Sequence, residues 1–193
     1  MEPGDAVRAW VSRPAVAATT TRADPSGWVA RTYTGGSAHE AKADSLHILR
    51  QKVLGARALV AVEYEDQDGH SLSYVCGALE NDDATWTVTG AAGASRDGHP
   101  PRPEPWANLG GWGNQRFLCA GGRVHGDGVS LIRLVGADGQ AIEDIVAQGY
   151  ALLIGDLPFG ESYTVELFDA AGQLLATHRW GGSPTSSSGK EPL

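Results

Sequence analysis

The feature that most constrains this chain is a series of turn signals set between short alternating runs. Asp68-Gly69, Asn81-Asp82-Asp83, Asp138-Gly139 and Ala171-Gly172 each separate segments in which apolar and polar residues alternate. Asp, Asn and Gly at such points accept positive φ or form Asx turns, so the pattern specifies antiparallel hairpins. Residues 58–65 set Val60, Val62 and Tyr64 on one face. Residues 71–79 do the same with Leu72, Tyr74, Cys76 and Ala78, and residues 85–90 with Trp86 and Val88. A three-strand meander over 58–90 follows. Further strands are expected at 116–120, 122–126, 129–136, 141–147, 150–155, 163–169 and 173–180. About seven short strands at such spacing read as an Ig-like antiparallel β-sandwich over 112–180. The Cys…Trp…Cys spacing of antibody domains is absent, so the likeness is architectural.

One helix is expected, over 38–54. Ser37 and Glu40 form a capping-box pattern, Leu46, Leu49 and Val53 follow helical spacing, and Gly55 supplies a stop. Such a helix would lie on the Val60 face of the meander. The fold class is therefore mainly β with a minor α+β part. Residues 5–12 fit either a short helix begun by Asp5 or a strand, and 27–34 read as a strand.

Four segments result: an α+β subdomain (1–95), a Pro/Gly-rich linker and aromatic loop (96–111), the sandwich (112–180), and a Ser/Pro/Gly tail expected to be disordered (181–193). The linker carries Pro100, Pro101, Pro103 and Pro105.

Charge narrows the partners. Residues 1–57 hold eight Lys/Arg against five Asp/Glu, and the remainder seven against eighteen, for a total of −8. So acidic a body argues against non-specific nucleic-acid binding, which needs a basic stripe. No apolar run approaches the ~18 residues of a membrane span. Met1-Glu2-Pro3-Gly4-Asp5 has neither a basic nor an apolar leader region, so a cytoplasmic location is expected if this start is native. Cys76 and Cys119 are expected as buried free thiols, and a disulfide would require export.

Several catalytic signatures fail on spacing. His39-Glu40 begins like a zinc-protease helix, but Ala43 stands where the second His belongs, and His47 lies too far along. Gly182–Lys190 has six residues between its glycines where a phosphate loop needs four. Asp66, Asp68 and Gly69 echo a calcium loop without its bidentate Glu. No G-x-S-x-G elbow is present. No cofactor and no metal site is expected. Glu63, Glu65, Asp66 and Asp68 read as a solvated hairpin end, with a weak divalent-cation site as the minor alternative.

One constellation suggests binding. Residues 106–126 hold Trp106, Asn108, Trp112, Asn114, Arg116, Arg123 and His125 among six glycines. Indoles offer stacking faces, amides and guanidinium offer directional hydrogen bonds, and glycine lets a ligand approach the backbone. The plain alternative is that the tryptophans plug a domain junction. The expectation is a non-enzymatic binding or interaction protein for a protein or small polar ligand, using loop 106–116 and the sandwich surface. Its alternatives are an enzyme with a dispersed site in a pocket under the meander, and an assembly component that pairs through edge strands.

Overall fold

A computed structural model describes residues 2–23, 29–34, 36–95 and 103–181. Among the described residues the chain is mainly β, in antiparallel sheets, with one α-helix. That helix, α1 (Pro3–Val11), begins with Pro at its first position, and Glu2 and Asp5 cap each other reciprocally. Of the two readings of residues 5–12, the helix is the one adopted. A two-stranded ribbon follows, β1 (Ala17–Ala23) with β2 (Val29–Thr34).

The expected helix at 38–54 does not form. Residues Ala43–Ser45 make one 3-10 turn, and His47–Leu54 is strand β3. Three local signals pointed the wrong way. The register steps from Ile48↔Val62 to Arg50↔Ala61, so Leu49 is the extra residue of a bulge. Leu46 and Ile48 therefore enter one core and Leu49 another, a division that strand geometry produces and that imitates helical spacing. Gly55, at φ +57, is no helix stop. It opens the two-residue turn into β4 (Arg57–Glu65), where positive φ is required. Ser37 Oγ, expected as a helix cap, bonds Tyr64 Oη.

The meander itself is as the turns specify. β4, β5 (Ser71–Glu80) and β6 (Trp86–Ser95) continue from β3 in the order β3-β4-β5-β6. The helix that covers it is α1, whose Val7 and Val11 pack on Val60, Val62 and Cys76.

The second half holds β7 (Trp106–Gly113), β8 (Leu118–His125), β9 (Leu131–Val135), β10 (Ala141–Ile145), β11 (Tyr150–Gly155), β12 (Ser162–Phe168) and β13 (Leu174–Gly181). Residues 106–111, expected in a linker loop, are thus strand. The two short strands expected at 116–120 and 122–126 are the single β8. Gly121 and Gly122 look like a break in sequence, but both are buried, and each brings β8 close to neighbouring groups where a Cβ would collide. The linker residues 96–102 and the tail residues 182–193 lie outside the described residues.

Seven strands divide into sheets β11-β8-β7 and β10-β9-β12-β13. One core lies between them, built from Leu109, Leu118, Ala120, Ile132, Leu134, Leu153, Val165 and Leu167. The other face of β11-β8-β7 packs on the meander. Cys119, Tyr150, Leu152 and Ile154 meet Leu59, Ala61 and Val75 there. The three-stranded sheet is therefore a middle layer with both faces covered, and every residue of β11 is buried. Period-2 alternation explains the division: odd-numbered β8 and even-numbered β11 residues face the meander, and their neighbours face the other core.

A buried carboxylate ties the outer sheets around this layer. Asp144, on β10, accepts from Arg50 Nη1 (2.7 Å) and Nη2 (3.0 Å), Lys52 Nζ (2.8 Å) and Leu152 N (2.7 Å). Cys76 and Cys119 are free and buried, in different cores. Burial pushes their thiols up to about 12 and about 11.

Candidate functional site

Strands β7 and β8 pair in register from Trp106↔His125 through Asn108↔Arg123 to Trp112↔Cys119. The seven predicted residues separate into three groups along this ribbon. At the first end, Trp106 lies flat on His125, with ring centroids 4.5 Å apart and planes 7° apart. Asn108 and Arg123 form the next pair on the same face, two residues along each strand. Asn108 is exposed, and Trp106, Arg123 and His125 are half-buried.

Trp112 sits at the junction between the middle sheet and the meander. Its indole lies over Gly77, where an added Cβ would fall inside the ring. It packs with Leu59, Cys119 and Ile154. Among the described residues its buried Nε1 has no hydrogen-bond partner. Trp112 thus packs at this junction.

Asn114 and Arg116 occupy the far turn. Asn114 Oδ1 accepts from the backbone N–H of Arg116 (2.8 Å) and Phe117 (3.3 Å), an Asx turn that closes the β7–β8 hairpin. Eight residues of strand separate Asn114 from Trp106, roughly 26 Å at 3.3 Å per residue. One small ligand cannot span both ends.

The first end adjoins a polar network. Tyr150 stands opposite Arg123. Its hydroxyl donates to Glu63 Oε1 (2.9 Å) and is bonded by Ser73 Oγ. Burial pushes this phenol up to about 12, against the hydrogen bond from Ser73 and the nearby Arg123 charge, which pull it down.

A second constellation lies at the β4–β5 hairpin, in a cleft of about 450 Å³. Asp66 is its centre, with a side chain only 3% exposed. Its Oδ1 accepts from the N–H of Asp68 (3.0 Å) and His70 (2.8 Å). Its Oδ2 lies 3.1 Å from Nδ1 of both His39 and His70. Burial works against the charge on Asp66, but the hydrogen bonds from the His70 backbone and both imidazoles outweigh it and hold the carboxyl down at about 2. An ionised carboxylate only accepts, so each imidazole presents Nδ1–H to it. The acidic residues around it are not equivalent: Glu65 pairs with Lys42, and Glu63 with Tyr150.

Sequence reasoning saw Asp66 and Asp68 but not the histidines beside them. His70 was legible as the end of an Asp-x-Asp-x-His run. His39 was not, because it comes from a strap 27 residues away. Backbone hydrogen bonds pin that strap to the hairpin: Gln67 N donates to Glu40 O (3.1 Å) and Lys42 N to Glu65 O (2.9 Å).

No protein-family model and no curated protein matches the chain, so these sites are read from their own geometry. Among the described residues no helix is long and apolar enough to cross a membrane.

Proposed function

We propose that this chain is a non-enzymatic binding module whose strands β7–β13 form an Ig-like sandwich. In this reading its ligand surface is the end of β7–β8 bearing Trp106, Asn108, Arg123 and His125. The ligand is small and polar, with an anionic or carbonyl group. One observation carries the reading: a flat indole–imidazole pair adjoins an amide and a guanidinium in the next same-face register pair. That set supplies a stacking face, a neutral hydrogen-bonding group and a cation within one strand repeat. Trp112, Asn114 and Arg116 drop out of the site.

Two observations weigh against the alternatives. The carbonyls of Ala107 and Leu109 on the outer edge of β7 are bonded by His178 Nε2 (3.3 Å) and Trp180 Nε1 (2.7 Å), which blunts that edge for strand addition. The space between α1 and the meander is filled by Val7, Val11, Val60 and Val62, which speaks against an enzyme pocket beneath it. The division of the chain near residues 96–105 belongs to the same proposal, with each half dependent on the other for covering the middle sheet.

The test is calorimetric titration of the full chain with N-acetylglycine and acetate. Binding is expected in the wild type, with loss of at least tenfold in Arg123→Gln and Trp106→Ala. Asn114→Ala and Arg116→Gln should bind as the wild type does. Equal binding by Arg123→Gln, or loss in Arg116→Gln, sinks the assignment.

A further inference from the structure

The β4–β5 hairpin carries a second site, independent of the β7–β8 surface. We propose that His39, Asp66, Asp68 and His70 bind a divalent transition cation of the zinc class. Ligand atoms of Asp66, Asp68 and His70 all lie within 4.8 Å of one another. Asp66 Oδ2 is 3.1 Å from Nδ1 of both His39 and His70. Ligand atoms at ~2.0–2.1 Å from a tetrahedral zinc ion are separated by roughly 3.3 Å, so Asp66 Oδ2 already stands near coordination spacing from each imidazole nitrogen taken singly, and the His39 ring must turn toward the Asp66, Asp68 and His70 group to complete the set. Two imidazoles with two carboxylates are a mixed nitrogen–oxygen set. It suits zinc or cobalt(II) better than magnesium or calcium, which take oxygen.

The scaffold is built around the ligating atoms. Asp66 commits Oδ1 to two backbone N–H groups, so its orientation is fixed and Oδ2 faces the imidazoles. His39 is held through its own backbone, with its N–H on Ser37 Oγ (3.2 Å) and its carbonyl accepting from Tyr64 Oη (3.0 Å). Its ring is 45% exposed and that of His70 is 64% exposed, so both can reorient slightly toward an entering ion.

The surroundings make an independent argument for a cation. Among the described residues the cleft beside Asp66 is lined by Glu40, Asp66 and Asp68 together with His39, and by no Lys or Arg. The nearby Lys42 is paired with Glu65. A cleft of one charge sign raises the local concentration of the opposite ion. A metal bond at Nδ1 uses that nitrogen's lone pair, so the ring proton moves from Nδ1 to Nε2. The ligand set keeps the same number of protons.

The experiment uses the full chain after chelator treatment, titrated calorimetrically with Zn²⁺ and followed by visible absorption with Co²⁺. One equivalent of Zn²⁺ is expected, with a tetrahedral cobalt spectrum and no saturable uptake of Mg²⁺ or Ca²⁺. His70→Ala and His39→Ala remove exposed rings, so both should stay folded by circular dichroism while losing at least tenfold in affinity. His125→Gln, in a different part of the fold, should bind Zn²⁺ as the wild type does. Wild-type affinity in the His39→Ala, His70→Ala double variant overturns the proposal, as does a wild type with no saturable Zn²⁺ binding.

Discussion

Replacing Asp144 by Ala removes four hydrogen bonds at once and unties two sheets from the middle layer. The carboxylate is 4% exposed, and its partners Arg50 and Lys52 are 19% and 29% exposed. Breaking a buried ion pair by deleting one partner costs about 3–5 kcal/mol, because the remaining charge stays poorly solvated. The N–H of Leu152 is also orphaned in a fully buried strand, at about 1–3 kcal/mol. Two effects reduce the sum. Arg50 keeps the carbonyls of Ile145 (2.6 Å) and Tyr150 (3.1 Å), and both cations can turn toward water. The expected loss is therefore about 3–5 kcal/mol in total. For a chain of 193 residues that lowers Tm by roughly 6–20 °C. Urea denaturation of Asp144→Ala, read by circular dichroism, measures it. Arg50→Ala and the double variant complete a cycle whose coupling should exceed ~1 kcal/mol. A loss below ~1 kcal/mol, with no coupling, would mean that the pair is a screened surface contact and that the sheets are joined by apolar packing alone.

Two further outcomes follow from the same layering. Gly77→Val drives a side chain into the Trp112 indole, and overpacking should destabilise the chain by about 1–3 kcal/mol and shift the Trp emission; wild-type stability would mean that Trp112 does not seal the junction. Cys76 and Cys119 have thiols raised by burial to about 12 and about 11, so at pH 8 neither carries much thiolate. A thiol reagent should label neither in the native protein and both in denaturant, and rapid native labelling of either would refute that placement.

The hairpins were readable because turn chemistry is local. Asp68-Gly69, Asp138-Gly139 and Ala171-Gly172 make their turns with glycine at positive φ, whatever the strands pack against. The segment 38–54 misled for the opposite reason. Leu46, Leu49 and Val53 satisfy helical spacing, and only the pairing with β4 reveals that Leu49 is a bulge residue facing another layer. Propensity gave way there to tertiary context. The residues of the β7–β8 surface were named from composition, but register decides which lie side by side. It groups Trp106, Asn108, Arg123 and His125 and sends Asn114 into its own turn. The Asp66 cluster needed the strap at 36–41 laid against the hairpin, a contact that no local pattern encodes.

The most direct measurement of the functional account is amide and indole chemical-shift mapping of the full chain during titration with N-acetylglycine. The account predicts saturable shifts at Trp106, Asn108, Arg123 and His125, with Trp112, Asn114 and Arg116 unmoved. Shifts confined to the Asn114–Arg116 turn, or none that saturate, would contradict it.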